Sequence, residues 1–171
     1  MISIETQRLI LRPHELRDIE PAYQMNLNQE VTRFTGDGGM VDLREIERRI
    51  KENVLGDYEK YGYGRFAVEW KETGEFIGFS GLKYLPDMRE VDLGYRLKRE
   101  FWGMGIATEA GKASLEFGFN HLGLQRIIAM LLPDNLASVR VLQKLGFRFE
   151  RDMMEDGLLI HVFAIHNQPS S

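Results

Sequence analysis

"REFWGMGIATEA", Arg99–Ala110, sets two glycines one residue apart and then runs into small, helix-forming residues. A glycine pair ahead of a helix serves either a tight turn or a backbone that must approach a ligand closely. Just upstream, "VDLGYRL" (91–97) reads as a strand, so the order is strand, short glycine loop, helix. That order aims unpaired backbone N–H groups and the positive end of a helix at an anion, most often a phosphate. The familiar nucleotide loops do not fit the spacing. A dinucleotide loop needs G-x-G-x-x-G, and the third place after Gly103 and Gly105 is Thr108. A P-loop needs a glycine five residues before Gly111, where Ile106 stands. A helix-start turn with no ligand remains open at this point.

Composition narrows the classes. The chain has 171 residues, 43% apolar and 28% charged, enough for one well-packed domain and short for two. We read 1–166 as a single domain and 167–171, "NQPSS", as a short polar tail. The net charge of −4, without a lysine or arginine block, gives no footprint for nucleic-acid binding. No cysteine is present, which excludes disulfides, thiolate metal sites and a cysteine nucleophile. The start, "MISIETQRLILRP", is charged at Glu5, Arg8 and Arg12 and contains no long apolar run, so the expectation is a cytoplasmic protein without a membrane span. His14, His121, His161 and His166 lack ligand spacing, and no metal site is expected.

Outward from the glycine loop, the pattern alternates between strands and helices. "SIETQRLILRP" is predicted as one first strand, and Glu15–Asn26 as a helix. "TGDGGMVD" is a glycine-dense loop, after which Asp42 and Glu45 signal the start of a helix running from Leu43 to about Tyr61. Three strand-like runs follow, "GRFAVEW", "TGEFIGFSGLKYL" and "REVDLGYRL", with a tight turn at Thr73-Gly74. The helix after the glycine pair closes at Gly123, "QRIIAML" is a buried strand, and a helix capped by Asn135 ends at Gly146. Two last strands fill Phe147–Ile165.

A second motif, "PDNLASVRVLQKLGF" (Pro133–Phe147), joins the first to make a recognisable pair. With "ETQRLILRP", "VDLGYRLKREFWGMGIATEA" and "GLQRIIAMLLPDNLASVRVLQKLGF" in that order over most of the chain, the sequence resembles the GNAT superfamily of acetyl-CoA-dependent N-acetyltransferases, and within it the RimJ/RimL branch. The resemblance implies an α/β fold, a mixed, mostly antiparallel sheet with a splayed central cleft flanked by helices. It implies acetyl-CoA as cosubstrate and direct attack of a primary amine on the thioester. The expected acceptor is a protein N-terminal α-amine of the ribosomal-protein type. A small-molecule amine (amino acid, polyamine or antibiotic) and a non-catalytic acyl-CoA-binding module are the rivals. The family's frequent pairing suggests a homodimer by analogy alone.

Residue by residue, the resemblance assigns Trp102, Gly103, Met104, Gly105, Ile106, Ala107 and Thr108 to the coenzyme diphosphate, held by backbone amides. It assigns Tyr95, Arg96 and Leu97 to the pantetheine arm, on a strand that splays from its neighbour. Asn135 would bond the same arm, and it also fits a plain helix cap. Phe34 and Met40 fall where the acceptor groove lies, although core packing would explain an apolar residue there equally. The chain departs from the superfamily at two places. Glu100 stands where Gln or Arg is common, and we expect it to point away from a polyanion. Leu142 stands where many members carry the tyrosine that protonates the departing thiolate, so that role passes to Ser138. Asp92, just ahead of the Gly-Tyr pair, is the candidate general base, acting through a water. Ser138 as a cap-supporting serine and Asp92 as a surface carboxylate are the plainer alternatives.

Overall fold

The computed structural model describes residues 2–35 and 42–168. Met40 and nearly all of the loop that carries it lie outside the described residues, as do the last three residues of the tail.

"SIETQRLILRP" forms two strands rather than the single one expected. β1 (Ile4–Glu5) folds back antiparallel on β2 (Leu9–Pro13), pairing Ile4 with Leu11. The Thr6 hydroxyl accepts from Leu9 N–H at 3.1 Å, so a side chain supplies the turn that alternation alone could not reveal. The expected helix over Glu15–Asn26 begins with a 3-10 turn, Leu16–Asp18, before α1 (Ile19–Asn26). A four-residue α2 (Gln29–Thr32), capped by the Asn28 side chain, was not anticipated. The long helix runs as expected to Tyr61, as α3 (Leu43–Arg48), a π-helical stretch (Arg49–Val54) and α4 (Leu55–Tyr61). Asp42 caps it by accepting from Glu45 N–H. Ion pairs at helical spacing, such as Lys51–Glu47, occupy its solvent side while Ile46 and Ile50 are buried.

The remaining elements follow the sequence pattern: β3 (Arg65–Trp70), β4 (Glu75–Leu85), β5 (Glu90–Leu97), α5 (Ile106–Glu116) with a π turn at Phe117–His121, β6 (Arg126–Leu131), α6 (Leu136–Leu145), β7 (Arg148–Glu155) and β8 (Leu158–His166). The strands make one sheet in the order β1-β2-β3-β4-β5-β6-β8-β7, antiparallel at every pairing except β5 with β6. This is the mixed, mostly antiparallel α/β sheet expected. One face packs Leu11, Phe66, Leu82 and Ile127 against α5 and α6, whose Ile106, Ala110 and Leu142 are fully buried. The other packs Ala67 and Phe76 against α1 and α3. Leu142, where a catalytic tyrosine would stand, is thus a core residue. No described helix is long and apolar enough to cross a membrane.

Buried beside that second layer, His14 contacts the Tyr58 hydroxyl and the Arg65 carbonyl. Burial pushes its imidazolium pKa down to about 4 from the ordinary 6.5. The unfolded chain therefore takes up this proton first as pH falls. The stability it supports is complete above pH ~6.5 and drains away toward pH ~4. Urea melts should show about 2 kcal/mol less stability at pH 5 than at pH 7, and His14→Gln should remove most of that dependence.

Candidate active site

The sheet has one weak seam. β5 and β6 register at a single pair, Asp92 with Ile128. Beyond it, β5 keeps pairing with β4 as far as Leu97, and β6 with β8 as far as Leu131. The two parallel strands therefore diverge toward their C-terminal ends, with the backbone edge of each turned to the gap. Lys98 N–H bonds Ile77 O, which fixes the antiparallel alternation on β5. By that alternation Gly94 and Arg96 bond β4, and Leu93, Tyr95 and Leu97 turn their N–H and C=O groups to the gap. Trp102 occupies one of these, its indole N–H donating to Leu97 O at 3.0 Å. Tyr95 lies between, at mid-gap.

Asp92 marks the vertex, and it is buried, so the surface-carboxylate alternative is ruled out. It lies opposite Lys83 on β4, whose ammonium pairs with Asp57 of α4 at 2.7 Å. This places Asp92 on the sheet face covered by the first helices. Its Oδ1 accepts from the Arg65 guanidinium at 3.0 Å, while the other guanidinium nitrogen bonds Gly81 O and Asp92 O. Oδ2 has no protein partner among the described residues. Gly94 is what lets Arg65 through, since a Cβ there would stand 2.6 Å from its Nη2. Sequence reading missed Arg65. It is 27 residues from Asp92, and the trace it leaves is the glycine after Leu93.

Tyr95 is three residues further along the strand and so projects to the opposite face. Its hydroxyl lies 2.7 Å from Ser138 Oγ in the first turn of α6. Burial raises the phenol pKa, with the Ser138 hydrogen bond working against that shift. Asn135 Oδ1 accepts from Ser138 N–H at 3.3 Å, the cap that its sequence position suggested. The two candidate catalytic side chains, Asp92 and Ser138, are therefore brought to one seam from opposite faces. Arg96 departs from expectation: its guanidinium lies over the Phe79 ring and bonds Asn26, on the Asp92 side. Leu97 is core. Of the three pantetheine candidates, Tyr95 has its backbone edge turned to the gap, whereas the carbonyl of Leu97 is taken by Trp102.

At the mouth of the gap, Gly103 and Gly105 both adopt left-handed backbone, with φ of +76° and +77°. Among the described residues, its two chain neighbours aside, nothing would lie within 4 Å of a Cβ on Gly103. The requirement for glycine thus comes from the turn, and the turn leaves an open approach. Gly105 caps α5 without any side-chain hydrogen bond to the helix end. The first-turn N–H groups of Ile106, Ala107 and Thr108 have no partner within the helix. Trp102 and Met104 are exposed at this rim, with Arg99 stacked over the Trp102 ring. Glu100 is exposed too. Phe34 is half-buried under the Arg33 guanidinium, and no described contact joins it to Asp92 or Tyr95.

The seam is split, with a backbone edge on either side, and it opens onto a helix start that has no side-chain cap. The model of the acetyltransferase (GNAT) domain family matches residues 8–148. The N-acetyltransferase YoaA of Bacillus subtilis (strain 168) is 36% identical over 148 residues, covering 86% of this chain and 83% of its own. Spermidine N(1)-acetyltransferase of Escherichia coli (strain K12) is 27% identical, over 92% of this chain and 79% of its own. The fold is shared with the solved structure of RimL, a ribosomal L7/L12 alpha-N-protein acetyltransferase in complex with coenzyme A. That likeness has a TM-score of 0.81 at 19% identity and covers 96% of this chain and 98% of RimL. The chain belongs to the GNAT acetyltransferase family, and it is an N-acetyltransferase.

Proposed function

We propose that the chain transfers an acetyl group from acetyl-CoA to a primary amine by direct attack, with a protein N-terminal α-amine as acceptor. The observation that carries this is the seam closed only at Asp92–Ile128. A pantetheine arm can add there as a short pseudo-strand against the backbone of Tyr95. Gly103 to Thr108 would hold the diphosphate through backbone N–H groups, and Asn135 would border the arm. Bound acetyl-CoA supplies the activated acyl carbon and a thiolate leaving group.

The chain's own residues divide the proton handling. Asp92 Oδ2 accepts the amine proton through a water on one face of the sheet. On the other, Ser138 donates its hydroxyl proton to the departing sulfur, with Tyr95 orienting that hydroxyl. An α-amine, with a pKa of about 7.7–8.0, is substantially neutral near pH 7.5, whereas a lysine or polyamine amine near 10.4 is neutral about one part in a thousand. Asp92 already shares one oxygen with Arg65, and Asp57 is matched by Lys83. Among the described residues at the vertex each of these carboxylates has a cationic partner, which favours the α-amine over a polycation. The similarity to a spermidine acetyltransferase supports the second reading, a small-molecule polyamine.

Thiol release from acetyl-CoA, measured with N-terminal peptides, lysine side-chain amines and polyamines side by side, tests the assignment. The expected order in kcat/KM puts α-amine peptides first by about tenfold or more at pH 7.5, following the neutral fraction. Polyamine turnover above that of every peptide would overturn it.

A further inference from the structure

Arg8 sits where no sequence motif of the cleft would place a ligand contact. It precedes β2, yet its Nη2 lies 3.6 Å from the position a Cβ on Gly105 would take, so its guanidinium borders the left-handed turn that starts α5. It is held there from both ends. Glu109, in the first turn of α5, accepts from Arg8 Nε at 2.7 Å and from Arg8 N–H at 3.0 Å. The Thr6 hydroxyl donates to the same carboxylate at 2.6 Å. Burial alone would push the Glu109 carboxyl pKa up; the hydrogen bonds from Thr6 and Arg8 keep it below its usual range.

This arrangement is electrostatically odd. A cation beside the positive end of a helix is on the wrong side of the macrodipole. Glu109 engages Nε and leaves the two terminal nitrogens without a protein partner among the described residues, and the side chain is one-third exposed. A dianionic group between the guanidinium and the α5 amides would satisfy all of them together. We infer that Arg8 is a side-chain ligand of the coenzyme diphosphate, and that Glu109 and Thr6 are positioning residues that aim it. This rests on the acetyl-CoA reading above. Through the β1–β2 turn, it makes the first strands of the sheet part of the coenzyme site.

Calorimetric titration of wild type and Arg8→Gln with CoA, with 3′-dephospho-CoA and with pantetheine tests it. Gln keeps the backbone bond to Glu109, and thermal melting confirms that the variant is folded. Wild type should bind CoA and dephospho-CoA. Arg8→Gln should weaken both by the same factor, about 10- to 100-fold, the range for a hydrogen bond to a charged group, and leave pantetheine unchanged. Thr6→Val should weaken both coenzymes by a smaller factor. A loss confined to CoA would move Arg8 to the 3′-phosphate and overturn the diphosphate assignment, as would equal loss for pantetheine or no loss at all. Failure of wild type to bind CoA would instead remove the acetyl-CoA reading itself.

Discussion

Gly105→Val should lose at least about 100-fold in acetyl-CoA affinity while remaining folded. The residue sits at φ +77°, a region that is a true outlier for a β-branched side chain and costs about 1–3 kcal/mol when enforced. The chain would relieve that strain by rotating the turn. Rotation re-aims the N–H groups at the start of α5, each worth about 1.5–3 kcal/mol against a charged acceptor. Two misdirected donors account for the factor. Gly105 is exposed, so the core beneath it has no reason to collapse. Gly123→Ala provides the control, since it has φ +72° and open space around it but lies at the far end of the same helical run. It should cost some thermal stability and leave affinity unchanged. Equal affinity in wild type and Gly105→Val, by calorimetry, would remove the loop from the coenzyme site.

Asp92→Asn should lower kcat by about 10²–10⁴, the usual weight of a positioned general base, with little change in acetyl-CoA affinity. The variant also leaves Arg65 facing a neutral amide in a buried setting, and breaking such a pair is itself destabilising by about 3–5 kcal/mol. The pH profile separates the two effects. With an α-amine acceptor, raising the pH from 7 to 9.5 delivers the nucleophile already deprotonated, so a missing base matters less and the gap between variant and wild type should narrow. A gap that stays constant over that range would mean the loss is structural. Ser138→Ala acts on the other face of the sheet and should leave the shape of that profile unchanged.

The fold was largely legible because its punctuation is local. Asp42, Asn135 and Gly146 delimit their helices through contacts made within four residues. The errors came where a side chain or a distant strand decides the outcome. Alternation over Ser3–Pro13 could not reveal that Thr6 would turn the chain back on itself. Within the site, the glycine loop and the Asn135 cap were readable for the same local reason. Arg65 and Arg8 were not, because each reaches its carboxylate from another strand or across the sheet edge, at separations of 27 and 101 residues. Leu142 is completely buried, which explains why a leucine stands there. The pairing of Tyr95 with Ser138 joins two residues singled out separately, one for the coenzyme and one for the proton.

The central claim is that the coenzyme occupies the seam between β5 and β6. Amide hydrogen exchange on the wild-type chain, with and without saturating acetyl-CoA, reads it most directly. The account predicts slowed exchange at the gap-facing amides of Tyr95 and Leu97 and at Gly103 to Thr108, with β3 and β7 unchanged. Saturation that leaves both segments exchanging at their original rates would contradict it.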